Sequence, residues 1–94
     1  MQEDAIESRA KLFQSLSSDA RLRILFMLLK TDKPVHIKGV ARALKLDYAV
    51  TYRHIENLRE AKLVNIYEVG RSRVPYVLDK AHLQALFDAA DKLL

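Results

Sequence analysis

Arg53, Arg71 and Arg73 carry the most legible chemistry in this sequence, and that chemistry is recognition rather than bond-making. Arg53 follows Tyr48, Ala49 and Tyr52 in the run DYAVTYRHIENL, while Arg71 and Arg73 flank Ser72 directly after Gly70. A guanidinium pairs in bidentate fashion with a guanine edge or a phosphate, and a tyrosine touches a thymine methyl or a phosphate. Bond-making sets are missing by comparison. The chain has no cysteine, no glycine-rich phosphate loop, and three scattered histidines, His36, His54 and His82, without a serine and acid to complete a triad. An enzyme is therefore not expected. Disulfides, thiolate ligands and thiol redox sensing are excluded with cysteine, and no cofactor motif is present.

These groups need elements to position them. Asp47 can cap a helix starting at Tyr48, in which Thr51, Ile55 and Leu58, with His54 beside them, recur at helical spacing and turn inward. Ala49, Tyr52, Arg53 and Glu56 then occupy the outer face, with Tyr48, Ala49, Tyr52 and Arg53 the candidates for base-edge contact. The alternative for Tyr48 is a core or phosphate contact, and His54 reads as a core or backbone-contacting histidine. Leu63 to Val69 alternates like a strand, Gly70 frees a tight turn, and Arg73 to Leu78 returns with Pro75 on an outer edge. Arg71, Ser72 and Arg73 at the tip are phosphate or minor-groove candidates, the bland reading being solvated turn residues.

Upstream, a first helix spans roughly Asp4 to Leu16, and Ser17 to Asp19 caps a second, Ala20 to Lys30, which is apolar nearly all round and belongs at the centre of the core. Arg21 and Arg23 leave at its exposed start. Pro34 ends the loop Thr31 to Pro34, and a short third helix, about Ile37 to Lys45, turns Val40, Ala41 and Leu44 inward and Lys38, Arg42 and Lys45 outward as DNA-backbone anchors. Gly39 inside it costs about 1 kcal/mol relative to alanine. Asp79 caps a last helix from Lys80 to about Leu94 with the stripe Leu83, Leu86, Phe87, Ala90, Leu93 and Leu94. The expected fold is mainly α with a two-stranded β-wing: a winged helix-turn-helix of five helices and one hairpin, one domain over residues 1–94.

Charge distribution agrees with that order. Residues 1 to 19 carry a net −2, residues 20 to 46 hold seven basic against one acidic side chain, and the remainder balances, so the net +4 is concentrated in the second and third helices. A basic middle between neutral or acidic ends fits a polyanion footprint, with a solvated surface as the bland alternative. Half the residues are hydrophobic and 30% are charged, as in ordinary globular proteins rather than disordered ones. The apolar run Ile24 to Leu29 is far short of the ~18 residues of a membrane span, and the acidic opening MQEDAIE is unlike a secretory leader. The expected location is the cytoplasm, with no membrane partner.

LFQSLSSDARLRILFMLL at Leu12 to Leu29, DYAVTYRHIENLREAKLV at Asp47 to Val64 and GRSRVPYVL at Gly70 to Leu78 together resemble the ArsR/SmtB-type winged-helix repressors. The resemblance covers nearly the whole chain. MarR-like repressors share the middle portion, VTYRHIENL followed by LV, but usually have longer terminal helices. The resemblance implies a homodimer joined through its first and last helices on an imperfect inverted repeat of double-stranded DNA. An independent physical motive exists for that dimer. A chain this small struggles to cover both the Ile6, Ala10 and Phe13 face and the Leu83, Leu86, Phe87 and Ala90 face against one central helix, the alternative being that both stripes complete the core.

Two further readings stand beside that one. The family's metal sensors place thiolates at the start of the third helix, where this chain has His36 and, two residues on, Lys38, a poor ligand. Their other site pairs Asp and His with a partner's His and Glu in the last helix; here Asp79 and His82 are spaced by three rather than two, and only Asp88 and Asp91 follow. No metal ligand set is assigned, and the identity of any small-molecule effector is open. The other alternative is a winged helix used as a protein-interaction module, since fold alone does not establish DNA binding. An apolar or acidic reading face would favour that module, whereas Arg53, Arg71 and Arg73 favour DNA.

Overall fold

Side-chain caps mark the start of every helix but α1. The computed structural model describes residues 2–94, in which α1 spans Glu3–Leu16, α2 Asp19–Lys30, α3 Ile37–Leu44, α4 Tyr48–Glu60, β1 Val64–Val69, β2 Ser72–Val77 and α5 Lys80–Asp91. Ser18 caps α2 by accepting from the Arg21 amide, Asp47 caps α4 by accepting from Val50, and Asp79 caps α5 by accepting from His82. His36 caps α3, its Nδ1 accepting from the Gly39 amide at 3.0 Å. That cap also explains Gly39: a Cβ there would lie 2.8 Å from His36 Nδ1.

Two helices end on left-handed lysines. Lys45 has φ 57 and Lys62 has φ 64. In both places the amide one residue on bonds the carbonyl five back, Leu46 to Ala41 at 2.9 Å and Leu63 to Leu58 at 3.0 Å, closing α3 and α4 in Schellman turns. Lys45 thus forms the turn after α3 rather than lying on its outer face as expected. This turn redirects the chain so that Asp47 can open α4.

β1 and β2 form one antiparallel hairpin in the register Val64↔Val77, Ile66↔Pro75 and Glu68↔Arg73. Leu78 N–H donates to Leu63 O at 3.1 Å, so alternation along the ladder puts Ile66↔Pro75 at a non-hydrogen-bonded pair, where proline sacrifices nothing. Gly70, at φ 61, and Arg71 are the two turn residues between Val69 and Ser72. A positive φ at the first of them is what a II′-type hairpin turn needs.

The core runs through every element but α1. Ile24, Leu25 and Leu28 of α2 meet Ile37 and Val40 of α3, Ile55 and Leu58 of α4, Val64 and Val77 of the wing, and Leu83 and Phe87 of α5. Leu83 and Phe87 were expected on a dimer seam; they are 4% and 8% exposed and close the core of the single chain, because α5 needs two of its stripe positions to reach α2. Leu86 is half-buried and Ala90 exposed. Leu93 and Leu94 lie past the end of α5 and are exposed, so the apolar stripe stops earlier than its spacing suggests.

In α1 only Ser15 is buried, while Ile6 and Phe13 are 43% and 57% exposed and Ala10 is exposed too. Its attachment is largely polar. Ser15 Oγ donates to Asn57 Oδ1 of α4 at 2.8 Å, and Arg21 of α2 donates through Nε to Ser15 O at 2.7 Å and through one terminal nitrogen to Gln14 O at 3.2 Å. The other terminal nitrogen reaches His54 Nδ1 of α4 at 3.3 Å. Arg21 therefore does not leave into solvent; it joins the C-terminus of α1 to α4.

Candidate nucleic-acid interface

Three separate segments converge on one concave, basic surface. A cleft of about 250 Å³ is lined by His36, Ile37 and Lys38 from the start of α3, Tyr48 from the start of α4, and Arg71, Ser72 and Arg73 from the wing. The first turns of α3 and α4 contribute to it, but their ends are already capped by His36 and Asp47, so its positive charge comes from the lysine and the two arginines. Anions are the ligands such a surface favours. Tyr48, 44% exposed, stands at its edge.

Of the residues singled out in the sequence, Lys38, Tyr48, Arg71, Ser72 and Arg73 share this cleft. Ala49 and Arg53 are exposed on α4, Arg42 is exposed in the last turn of α3, and Lys45 is exposed in the turn that follows; none of the four lines the cleft. Tyr52 departs from the outer-face expectation. It is half-buried and packs against the core, stacks on Tyr48 with ring centroids 6.3 Å apart, and lies under the Arg73 guanidinium at 5.2 Å. Glu56 is also half-buried and turns along its helix to Arg59 at 3.0 Å.

The wing arginines differ in their surroundings. Arg71 sits exposed at the tip, whereas Arg73 is opposite Glu68 on the neighbouring strand, 3.8 Å away with both side chains well exposed. At that distance and exposure the pair contributes little stability. Its effect is to offset part of the charge that Arg73 brings to the surface.

His54 and His82 have structural partners. Burial and the neighbouring Arg21 and Arg53 guanidiniums push the His54 pKa below its ordinary value, so its Nδ1 is available to accept from Arg21 near neutral pH. Asp79 accepts from the His82 amide at 3.0 Å and contacts the His82 ring at 2.8 Å; these hydrogen bonds lower the Asp79 pKa. Among the described residues no three side chains of the His, Asp and Glu types converge as a metal-binding group would. Also among the described residues, no helix is long and apolar enough to cross a membrane. His36 and Arg21 are the positions whose part sequence reasoning missed, one capping α3 at the cleft and the other pinning α1. Histidine is a rare helix cap and an arginine in a first turn looks like any surface cation, so neither carried a local signal.

Solved structures share this arrangement. The homodimeric winged helix-turn-helix DNA-binding domain of a possible ArsR-family transcriptional regulator from Mycobacterium bovis superposes with a TM-score of 0.83 at 18% identity, covering 98% of this chain and 88% of that one. HlyU from Vibrio cholerae gives 0.77 at 23% identity over 95% and 97% of the two chains, and NolR from Sinorhizobium fredii gives 0.77 at 18% over 97% and 95%. At these identities the likeness concerns the fold: five helices and a wing in the winged helix-turn-helix arrangement. A search among curated proteins finds no match. In sequence, residues 18–65, which run from the cap of α2 through α4 into β1, match the profile of the bacterial regulatory proteins of the arsR family. With that match spanning half of its length, the chain belongs to the ArsR family.

Proposed function

We propose that this protein binds double-stranded DNA sequence-specifically as a homodimer on an inverted repeat and represses transcription in the cytoplasm. The carrying observation is the basic cleft, which Lys38, Arg71 and Arg73 line together with the exposed Tyr48. In this reading residues 1–94 act as one DNA-binding unit. Lys38, Arg71, Ser72 and Arg73 take phosphates or the minor groove, Arg42 and Lys45 anchor the flanking backbone, and Tyr48, Ala49 and Arg53 meet base edges. Repression needs nothing beyond occupancy of the site.

The dimer is supported by the exposed apolar residues of α1 and their neighbours. Phe13, Leu16, Leu22, Phe26, Leu86, Phe87 and Ala90 border one open groove across α1, α2 and α5, in which the Phe26 and Phe87 rings lie 4.7 Å apart. Ile6 and Ala10 extend the apolar face along α1. A second copy covering it would bury the apolar face that α1 leaves exposed in the single chain. Two reading helices related by a two-fold axis then reach successive major grooves about 34 Å apart.

Selection from a random duplex library with the purified protein tests the reading, followed by fluorescence anisotropy across a salt series. Enrichment of two inverted half-sites is expected. If a dimer neutralises about six phosphates, log K should fall with log salt at a slope of about −5. Arg53→Ala should relax preference at one or more positions, while Arg71→Ala weakens all sequences alike. Affinity indifferent to salt, or a selection that enriches nothing, refutes it.

A further inference from the structure

Arg73 and Tyr52 belong to different elements, wing and reading helix, yet the guanidinium carbon of one lies 5.2 Å from the ring centroid of the other. Tyr52 is itself held from two sides: its ring packs against the core, and Tyr48 stacks on it at 6.3 Å. Among the described residues, Arg73 has one loose alternative, the exposed carboxylate of Glu68 at 3.8 Å. A guanidinium above a fixed aromatic ring is oriented without having its hydrogen-bond donors consumed, so they remain free for an anion. We infer that Tyr52 is a positioning residue, a half-buried platform that fixes Arg73 of the wing relative to the reading helix so that both engage one stretch of DNA in register.

This assignment rests on the DNA-binding reading above and replaces the expectation that Tyr52 reads a base. The two roles make different use of its atoms. A base or phosphate reader needs the phenol hydroxyl, whereas a platform needs only the ring. Tyr52→Phe therefore separates them. A wing held by the platform also presents Arg73 with less freedom to lose on binding, and the gain depends on Arg73 being present.

The test is a double-mutant cycle on Tyr52→Leu and Arg73→Ala, read by anisotropy with a short duplex of mixed sequence, with Tyr52→Phe alongside and circular dichroism to confirm folding. Tyr52→Leu should weaken binding by about two- to fivefold per protomer, the strength of an exposed cation–π contact, and should have no further effect once Arg73 is alanine. Tyr52→Phe should bind as the parent does. In the free protein, Arg73 side-chain proton resonances should show an aromatic ring-current shift that survives Tyr52→Phe and disappears in Tyr52→Leu. Equal losses from Tyr52→Leu with and without Arg73, or a loss from Tyr52→Phe, would overturn the inference while leaving DNA binding intact. A parent protein with no affinity for any duplex would overturn the DNA-binding reading and this inference together, whatever the resonances show.

Discussion

Replacing Arg21 with methionine should reveal how much of this small protein depends on one cation inside its framework. The side chain donates to Ser15 O at 2.7 Å, to Gln14 O at 3.2 Å and to His54 Nδ1 at 3.3 Å. The two carbonyls lie at the C-terminal end of α1, whose last turn contains no basic residue of its own, so Arg21 also supplies the positive charge that end favours. A hydrogen bond from a charged donor contributes roughly 1.5–3 kcal/mol when buried. Here two of the three bonds are long and the side chain is half-exposed, so solvent screening brings the sum to about 2–3 kcal/mol. For a domain of this length that corresponds to a drop of roughly 10–20 °C in the unfolding midpoint. Urea unfolding followed by circular dichroism at fixed protein concentration measures it, with the exposed Arg23→Met as control. Arg21→Lys should recover less than half, because an ammonium cannot reach three acceptors in different directions. A loss under about 0.5 kcal/mol for Arg21→Met, or one matching the Arg23 control, would refute the role given to this network.

Stability should also depend on pH through His54, whose folded-state pKa is depressed. The unfolded chain binds the proton more readily, so the contribution is fully present above about 6.5 and is lost as pH falls through that value toward the folded pKa; urea midpoints flat across this range would count against it. Phe13→Asp should leave a folded monomer, because its side chain is 57% exposed in the single chain, and should weaken the proposed dimer by about thirtyfold or more as measured by sedimentation equilibrium; an unchanged dimer would move the seam elsewhere. Lys62→Gly should raise stability by about 0.5–1 kcal/mol in urea unfolding, since glycine adopts the left-handed φ of 64 without a Cβ penalty; a destabilised variant would show that the lysine side chain contributes more than its backbone strain costs.

Much of the framework was legible in the chain because its signals are local. Ser18, Asp47 and Asp79 each cap a helix from the adjacent residue, Gly70 permits the wing turn, and Thr51, Ile55 and Leu58 turn inward because their spacing matches one helical face. Of the basic residues read near Gly70 and along α3, Lys38, Arg71 and Arg73 come together in one cleft. The family match and the shared fold agree with that order of elements.

The third dimension decided which way ambiguous side chains turn. Lys45 and Lys62 end helices in a conformation usually associated with glycine, and no residue type announces that; the following leucines, pulled back onto Ala41 and Leu58, impose it. Leu83 and Phe87 share a stripe with Leu86 and Ala90, and only the position of α2 determines which of them close the core. Tyr52 reads as an outer-face tyrosine until the wing folds back and lays Arg73 above it. Arg21 likewise reads as a surface cation until α1 and α4 bring Ser15 and His54 within reach. Helical periodicity and capping act over a few neighbouring residues and can be read along the chain. Packing between elements, and the partners of a long side chain at their junction, depend on contacts between residues far apart in sequence, which exist only once the chain has folded.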